Sequence, residues 1–172
     1  IGRQDHDRVF PGAGVVNGAL RVMPELGPLA TVWRTAPMQA LARLHVVAAA
    51  DLVDDDRLGR PRQFEHGAPT DPLGLGAAPT AAEVASRLDL LVQVVDASRD
   101  VPALVVAAVV HGELMSLRPF GRADGIVARA AMRLVMVERG LDPDRLTVPE
   151  AGFVAAGARA HAEALGQHGD ED

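Results

Sequence analysis

Val101-Pro-Ala-Leu-Val-Val-Ala-Ala-Val-Val-His-Gly-Glu-Leu-Met-Ser-Leu117 is the stretch on which the fold turns. Its residues carry no charge from Val101 to Val110, and the apolar side chains fall on nearly every face of a helix of period 3.6. Such a helix belongs at the centre of a bundle, so it is expected to be the most buried element. It is too short to cross a bilayer, which takes about 20 apolar residues.

Working outward, Gly121 to Gly125 interrupts this helix, and a second one is expected over 126–139, closed by Gly140 at the C′ position with Pro143 beyond. Positions 126, 127, 130, 131 and 134 form its buried face, with Arg129 and Arg133 together on the other side. Upstream, Thr80-Ala-Ala-Glu83 is a capping box opening a helix to about Ala97. Thr147-Val-Pro-Glu150 has the same form and opens an Ala-rich helix to Leu165. Nearer the start, Thr35 and Pro37 announce a helix whose residues Met38, Leu41, Leu44, His45 and Ala48 make an apolar stripe. A shorter helix is expected over 15–23, ended by Pro24, Gly27 and Pro28. Residues 60–79 hold prolines and glycines with no apolar period, and form a long mobile loop with at most a small β-hairpin.

The domain plan is a disordered lead-in at 1–14, one all-α domain at 15–165, and an acidic tail at 166–172. The opening Ile1-Gly-Arg-Gln4 lacks an initiator Met, so residues are expected upstream. With no Tyr, one Trp and four Phe among 172 residues, the core is built from Ala, Val and Leu, which suits close-packed helices. The absence of Cys removes disulfides and thiolate chemistry, and a cytoplasmic location follows as the expectation. A net charge of −6 argues against nucleic acid as a partner, and no signal-peptide or membrane pattern stands in the sequence.

The chemistry gathers in Arg118-Pro-Phe-Gly-Arg-Ala-Asp-Gly-Ile-Val-Ala-Arg129. Glycines at 121 and 125 let loop amides converge at a helix N-terminus, an arrangement that binds anions. Arg118, Arg122 and Arg129 stand around it, and each guanidinium can fork onto a phosphate or carboxylate. The candidate anion site is therefore Arg118, Gly121, Arg122, Ala123, Asp124, Gly125 and Arg129. The plain alternative is that these arginines pair with Glu113, Asp124 and other acids.

Read in order, these residues resemble the signature His-Pro-Phe-x-Asp/Glu-Gly-Asn-Gly-Arg-x-x-Arg of Fic (Fido) domains, and Pro119, Phe120, Gly125 and Arg129 match it. The helix before the motif, with His111 two turns ahead, looks similar too, and the resemblance extends over about 33–153. It is nearest to a divergent actinobacterial branch of Fic-like proteins. The resemblance implies a Fic-like helical bundle whose relatives move AMP from a nucleotide onto a protein hydroxyl.

In this chain the motif histidine, the family's general base, is Arg118, and the carboxylate that holds Mg²⁺ is Arg122. Asp124 stands for the anion-hole Asn and Ile126 for the first motif arginine. Arginine does not release its proton near neutrality, so Arg118 cannot act as that base. The first reading is a pseudoenzyme with a degenerate adenylyltransferase motif, binding ATP, another nucleotide or phosphate without Mg²⁺. The second is an active transferase in which His111, Glu113 or Asp124 replaces the base. The third is a module that binds a protein partner. His111 is expected as a hydrogen-bonded core residue and Glu113 as the partner of an arginine. Neither the remaining histidines nor Asp54-Asp-Asp56 has metal-ligand spacing.

Overall fold

The computed structural model describes residues 12–63 and 69–169, among which lie eight α-helices and no strand. They are α1 (Ala13–Val22), α2 (Leu26–Thr35), α3 (Pro37–Ala48), α4 (Ala81–Ala97), α5 (Ala103–Leu117), α6 (Asp124–Glu138), α7 (Pro149–Ala156) and α8 (Ala158–Gly169). The fold is all-α. No helix among the described residues is long and apolar enough to cross a membrane.

The first correction concerns residues 24–35: α1 ends at Val22, ahead of Pro24 as expected, but a second helix follows at once in place of a break. A single 3₁₀ turn at Met23–Glu25 links α1 to α2. Pro24 opens that turn, and Pro28 falls in the first turn of α2, where backbone amides lack an intrahelical partner in any case. The missing N–H therefore costs little, while Leu26, Leu29, Ala30 and Trp33 gain burial. Thr35 ends α2 instead of capping α3, whose N-cap is Ala36 with Pro37 at the first position.

Close contact between α1 and α3 depends on Gly18. A Cβ there would lie 2.1 Å from the Ala48 carbonyl oxygen, so the two backbones touch. We expect Gly18→Ala to cost about 1–3 kcal/mol as overpacking. Gly152→Ala, whose added carbon would meet nothing within 4 Å, serves as the control that leaves thermal stability nearly unchanged. Equal melting midpoints for the two variants would contradict the close approach.

The second correction concerns the central helix. Eight of the fifteen residues of α5 are buried against eleven of the fifteen of α6. The helix begins at Ala103, and its apolar N-terminal half runs to the edge of the bundle, leaving Val101, Leu104 and Val105 40%, 62% and 51% exposed. α6 is enclosed on more sides, packing against α5, α2 and α3. Its positions 126, 127, 130, 131 and 134 are buried as the spacing requires. Arg133 is buried as well, donating to the Arg145 carbonyl at 3.4 Å, so it does not share a solvated face with Arg129.

The helix ends follow local chemistry. Thr80 and Glu83 form the capping box reciprocally at α4. Gly140, at φ 72°, closes α6 with Leu141 N–H bonded to the Met136 carbonyl and its own N–H to that of Val137. The second capping box does not form. Asp142 takes both the hydroxyl (2.5 Å) and the amide (3.1 Å) of Thr147, and the next helix starts at Pro149 without a side-chain cap. Gly157, at φ 86°, then divides the Ala-rich segment into α7 and α8, which reaches Gly169. Of the lead-in expected at 1–14, residues 13–14 belong to α1, and of the tail expected at 166–172, residues 166–169 belong to α8; residues 1–11, the loop centre at 64–68 and residues 170–172 lie outside the described residues.

Candidate ligand-binding site

The loop between α5 and α6 reverses the chain with three left-handed residues in six positions, Arg118 (φ 46°), Gly121 (φ 78°) and Ala123 (φ 57°). Only the glycine adopts this region without steric cost, so neighbouring groups must hold the other two. They are supplied by the 60–79 segment. The buried Arg62 donates to the carbonyls of Arg118 (3.1 Å), Leu117 (3.3 Å) and Pro79, placing a cation on the last carbonyls of α5. The Arg62 amide bonds the Pro119 carbonyl at 2.7 Å, and Thr70 donates to Gly121 through its amide (3.1 Å) and hydroxyl (3.2 Å). Phe120 is buried and stacks on His45, ring centroids 4.2 Å apart and planes within 7°. Gly59 N–H donates to His45 Nδ1 at 2.9 Å, and burial pushes that imidazole down to about 4, so the ring under Phe120 is neutral.

Arg118 is 4% exposed and already engaged: Nη2 donates to the Gly76 carbonyl at 2.9 Å and Nη1 faces Asp71 at 3.4 Å. Asp71 in turn accepts the amides of Leu75 and Gly76, both at 2.9 Å. Arg118 thus ties the second half of the 60–79 segment to the motif. Asp124 turns its carboxylate back into the loop and accepts the Phe120 amide at 2.8 Å. An internal carboxylate thereby occupies the part of the loop expected to face an external anion. Burial raises the Asp124 carboxyl to about 7, with the Phe120 and Gly121 amides, Arg62 and Arg118 opposing, and its Oδ2 has no hydrogen-bond partner.

The free end of the arrangement is the first turn of α6. Ala123 provides no side-chain cap; its carbonyl takes the Ile126 and Val127 amides at 2.9 and 3.0 Å, which leaves the amides of Asp124 and Gly125 ahead of the first intrahelical bond. Beside this turn lies Arg129, folded back so closely that a Cβ at Gly125 would stand 3.2 Å from its Nη1. Gly125 makes room for the guanidinium. Glu150 attracts Arg129 from across the cavity, yet the buried Glu150 Oε2 accepts no hydrogen bond. Burial lowers the Arg129 pKa from its ordinary value, with Glu150 opposing. Arg122 is exposed beside the same turn.

These groups line one cavity of about 650 Å³, walled by Leu73, Leu75, Met115, Ile126, Phe153 and His161 and containing Arg118, Arg122, Ala123, Asp124, Gly125, Arg129 and Glu150. Of the predicted site residues, all but Gly121 reach the cavity wall, but only Arg122 and Arg129 bring a positive charge that is not already tied. Of the three proposed replacement bases, Asp124 alone faces this cavity. Glu113 forms a two-pronged pair with Arg87 at 2.8 and 2.7 Å. His111 lines a separate groove, stacked on Phe153, and its buried Nε2 is unpaired, contrary to the expected hydrogen-bonded histidine.

Sequence reading missed Arg62, Asp71, Glu150, Phe153 and His161, all brought in from segments remote from the motif. Comparison with protein-family models, with curated proteins and with solved structures finds no match to this chain.

Proposed function

We propose that this chain is a binding protein for an anionic ligand of phosphate type, a nucleotide phosphate among the candidates, and that it does not carry out Mg²⁺-dependent AMP transfer. The observation carrying the proposal is the Arg129 guanidinium held against Gly125 in the first turn of α6, a helix with no side-chain N-cap. Cation and helix end are both positive there, an unfavourable juxtaposition that an anion seated between them would turn to advantage. Arg122 at the rim adds attraction, and the largely apolar wall admits a ligand with a bulky organic portion.

The likeness of the 118–129 motif to Fic domains supports a pseudoenzyme reading. Arg118 stands in the place of the general base, with its guanidinium spent on Gly76 and Asp71. Arg122, at the metal-carboxylate place, would repel a cation. Loss of a general base alone removes about 10²–10⁴-fold in rate.

The test pairs two measurements on the full chain. Calorimetric titration with inorganic pyrophosphate is expected to show binding that weakens as salt rises. Incubation with labelled ATP, Mg²⁺ and acceptor proteins is expected to leave label transfer at background. Robust transfer would overturn the pseudoenzyme reading, with Asp124 as the first residue to substitute. Absence of any anion binding would leave a protein-interaction module as the surviving reading.

A further inference from the structure

A second cavity, about 760 Å³, lies between the exposed N-terminal half of α5, the Met132–Met136 side of α6 and the α7–α8 arm. Its wall is apolar: Leu104, Val105, Met132, Met136, Phe153 and Leu165 contribute. No carboxylate, lysine or arginine takes part. The one deeply buried polar side chain in that wall is His111, 5% exposed, and its Nε2 has no hydrogen-bond partner. The ring lies nearly parallel to Phe153 (centroids 5.0 Å apart, 18° between planes), which stacks on His161 at 4.4 Å. A flat, ring-lined floor, with one unanswered nitrogen buried in it, thereby borders an open apolar groove.

A buried nitrogen left unpaired carries a desolvation penalty, and a water molecule would need two to four polar partners to replace the lost bond, which this wall does not offer. A charged ligand would find no countercharge. We propose that the groove is a binding site for an uncharged, ring-bearing apolar molecule with a single hydrogen-bonding group, which His111 Nε2 engages while the ring packs beside Phe153. Burial holds the imidazole at about 4, so it is neutral under ordinary conditions and selects a neutral partner group. The site is distinct from the anion cavity, with Phe153 and His161 forming a wall common to both.

The test uses 2-naphthol, naphthalene and 2-naphthoate as probes, with methyl-labelled methionines followed by NMR. 2-Naphthol is expected to shift the Met132 and Met136 methyls and to bind about tenfold more tightly than naphthalene, the factor that one hydrogen bond supplies. 2-Naphthoate is expected to bind more weakly than 2-naphthol at pH 7. His111→Phe keeps a ring in the stack and is expected to bring the naphthol-to-naphthalene ratio near one. Ala108→Trp, at an exposed position in the groove wall, is expected to block both probes with the fold retained. Equal affinities for all three probes, shifts confined to other methionines, or a naphthol preference that survives His111→Phe would each overturn the assignment.

Discussion

Replacing Arg129 by Gln is expected to weaken pyrophosphate binding by about 10–100-fold, the factor that corresponds to about 1.5–3 kcal/mol for a hydrogen bond to a charged group. The substitution preserves most of the side-chain length and its packing over Gly125, and removes only the charge and the fork. Arg122→Gln is expected to cost less, about threefold, because an exposed cation is screened by solvent and salt. The ranking separates the geometry described above from a general attraction between the anion and three neighbouring arginines, which would give similar losses at both positions. Calorimetry at two salt concentrations checks it, since the slope with salt should flatten in both variants.

The second large effect is expected in the pH dependence of stability. The buried Asp124 carboxyl is raised from 3.8 to about 7 in the folded chain, so between those values the folded state holds a proton that the unfolded state has released. Stability from this group is fully present below about pH 4 and is lost as pH rises towards 7. Asp124→Asn keeps an oxygen for the Phe120 amide and cannot ionise. Between pH 5 and pH 8 the stability difference between the variant and the parent should therefore move by about 3 kcal/mol in favour of the variant. Urea unfolding at several pH values measures this, and parallel curves would mean that the carboxyl is ionised throughout.

Much of the architecture was legible because it rests on local rules. The capping box at Thr80 and Glu83, the C′ glycine at 140 and the apolar period of α6 each depend on residues within one or two turns. The failures share a cause. Pro28 looked like a breaker because a proline's effect depends on whether it falls in a first turn, which is decided by packing of Leu29 and Trp33. The second capping box failed because Asp142, outside the four-residue pattern, captures Thr147 first. The run at 101–110 is apolar on all sides, yet no described element covers the flank of Leu104 and Val105, and hydrophobicity alone does not say how many neighbours a helix will find.

The candidate site divides in the same way. The motif at 118–129 was visible as a loop with cations at a helix start, and the structure places its ends as that spacing requires. Which cations remain free was not visible. The partners of Arg118 are Asp71 and the Gly76 carbonyl, about forty residues upstream in a segment without periodicity, and Arg62 reaches the loop from farther still. Glu150 and Phe153 arrive from α7, and His161 from α8 beyond Gly157. Charge clusters read from sequence count the arginines correctly and cannot assign their partners.

The central claim is that an anion sits on the first turn of α6 beneath Arg129. Nitrogen-15 NMR of the full chain during a pyrophosphate titration tests it most directly, because each backbone amide and the Arg129 Nε report their own surroundings. The expected result is a saturable shift concentrated at the amides of Asp124 and Gly125 and at Arg129 Nε, diminished in Arg129→Gln. Saturable shifts centred elsewhere, or none at Gly125 at pyrophosphate concentrations that saturate the calorimetric signal, would contradict it.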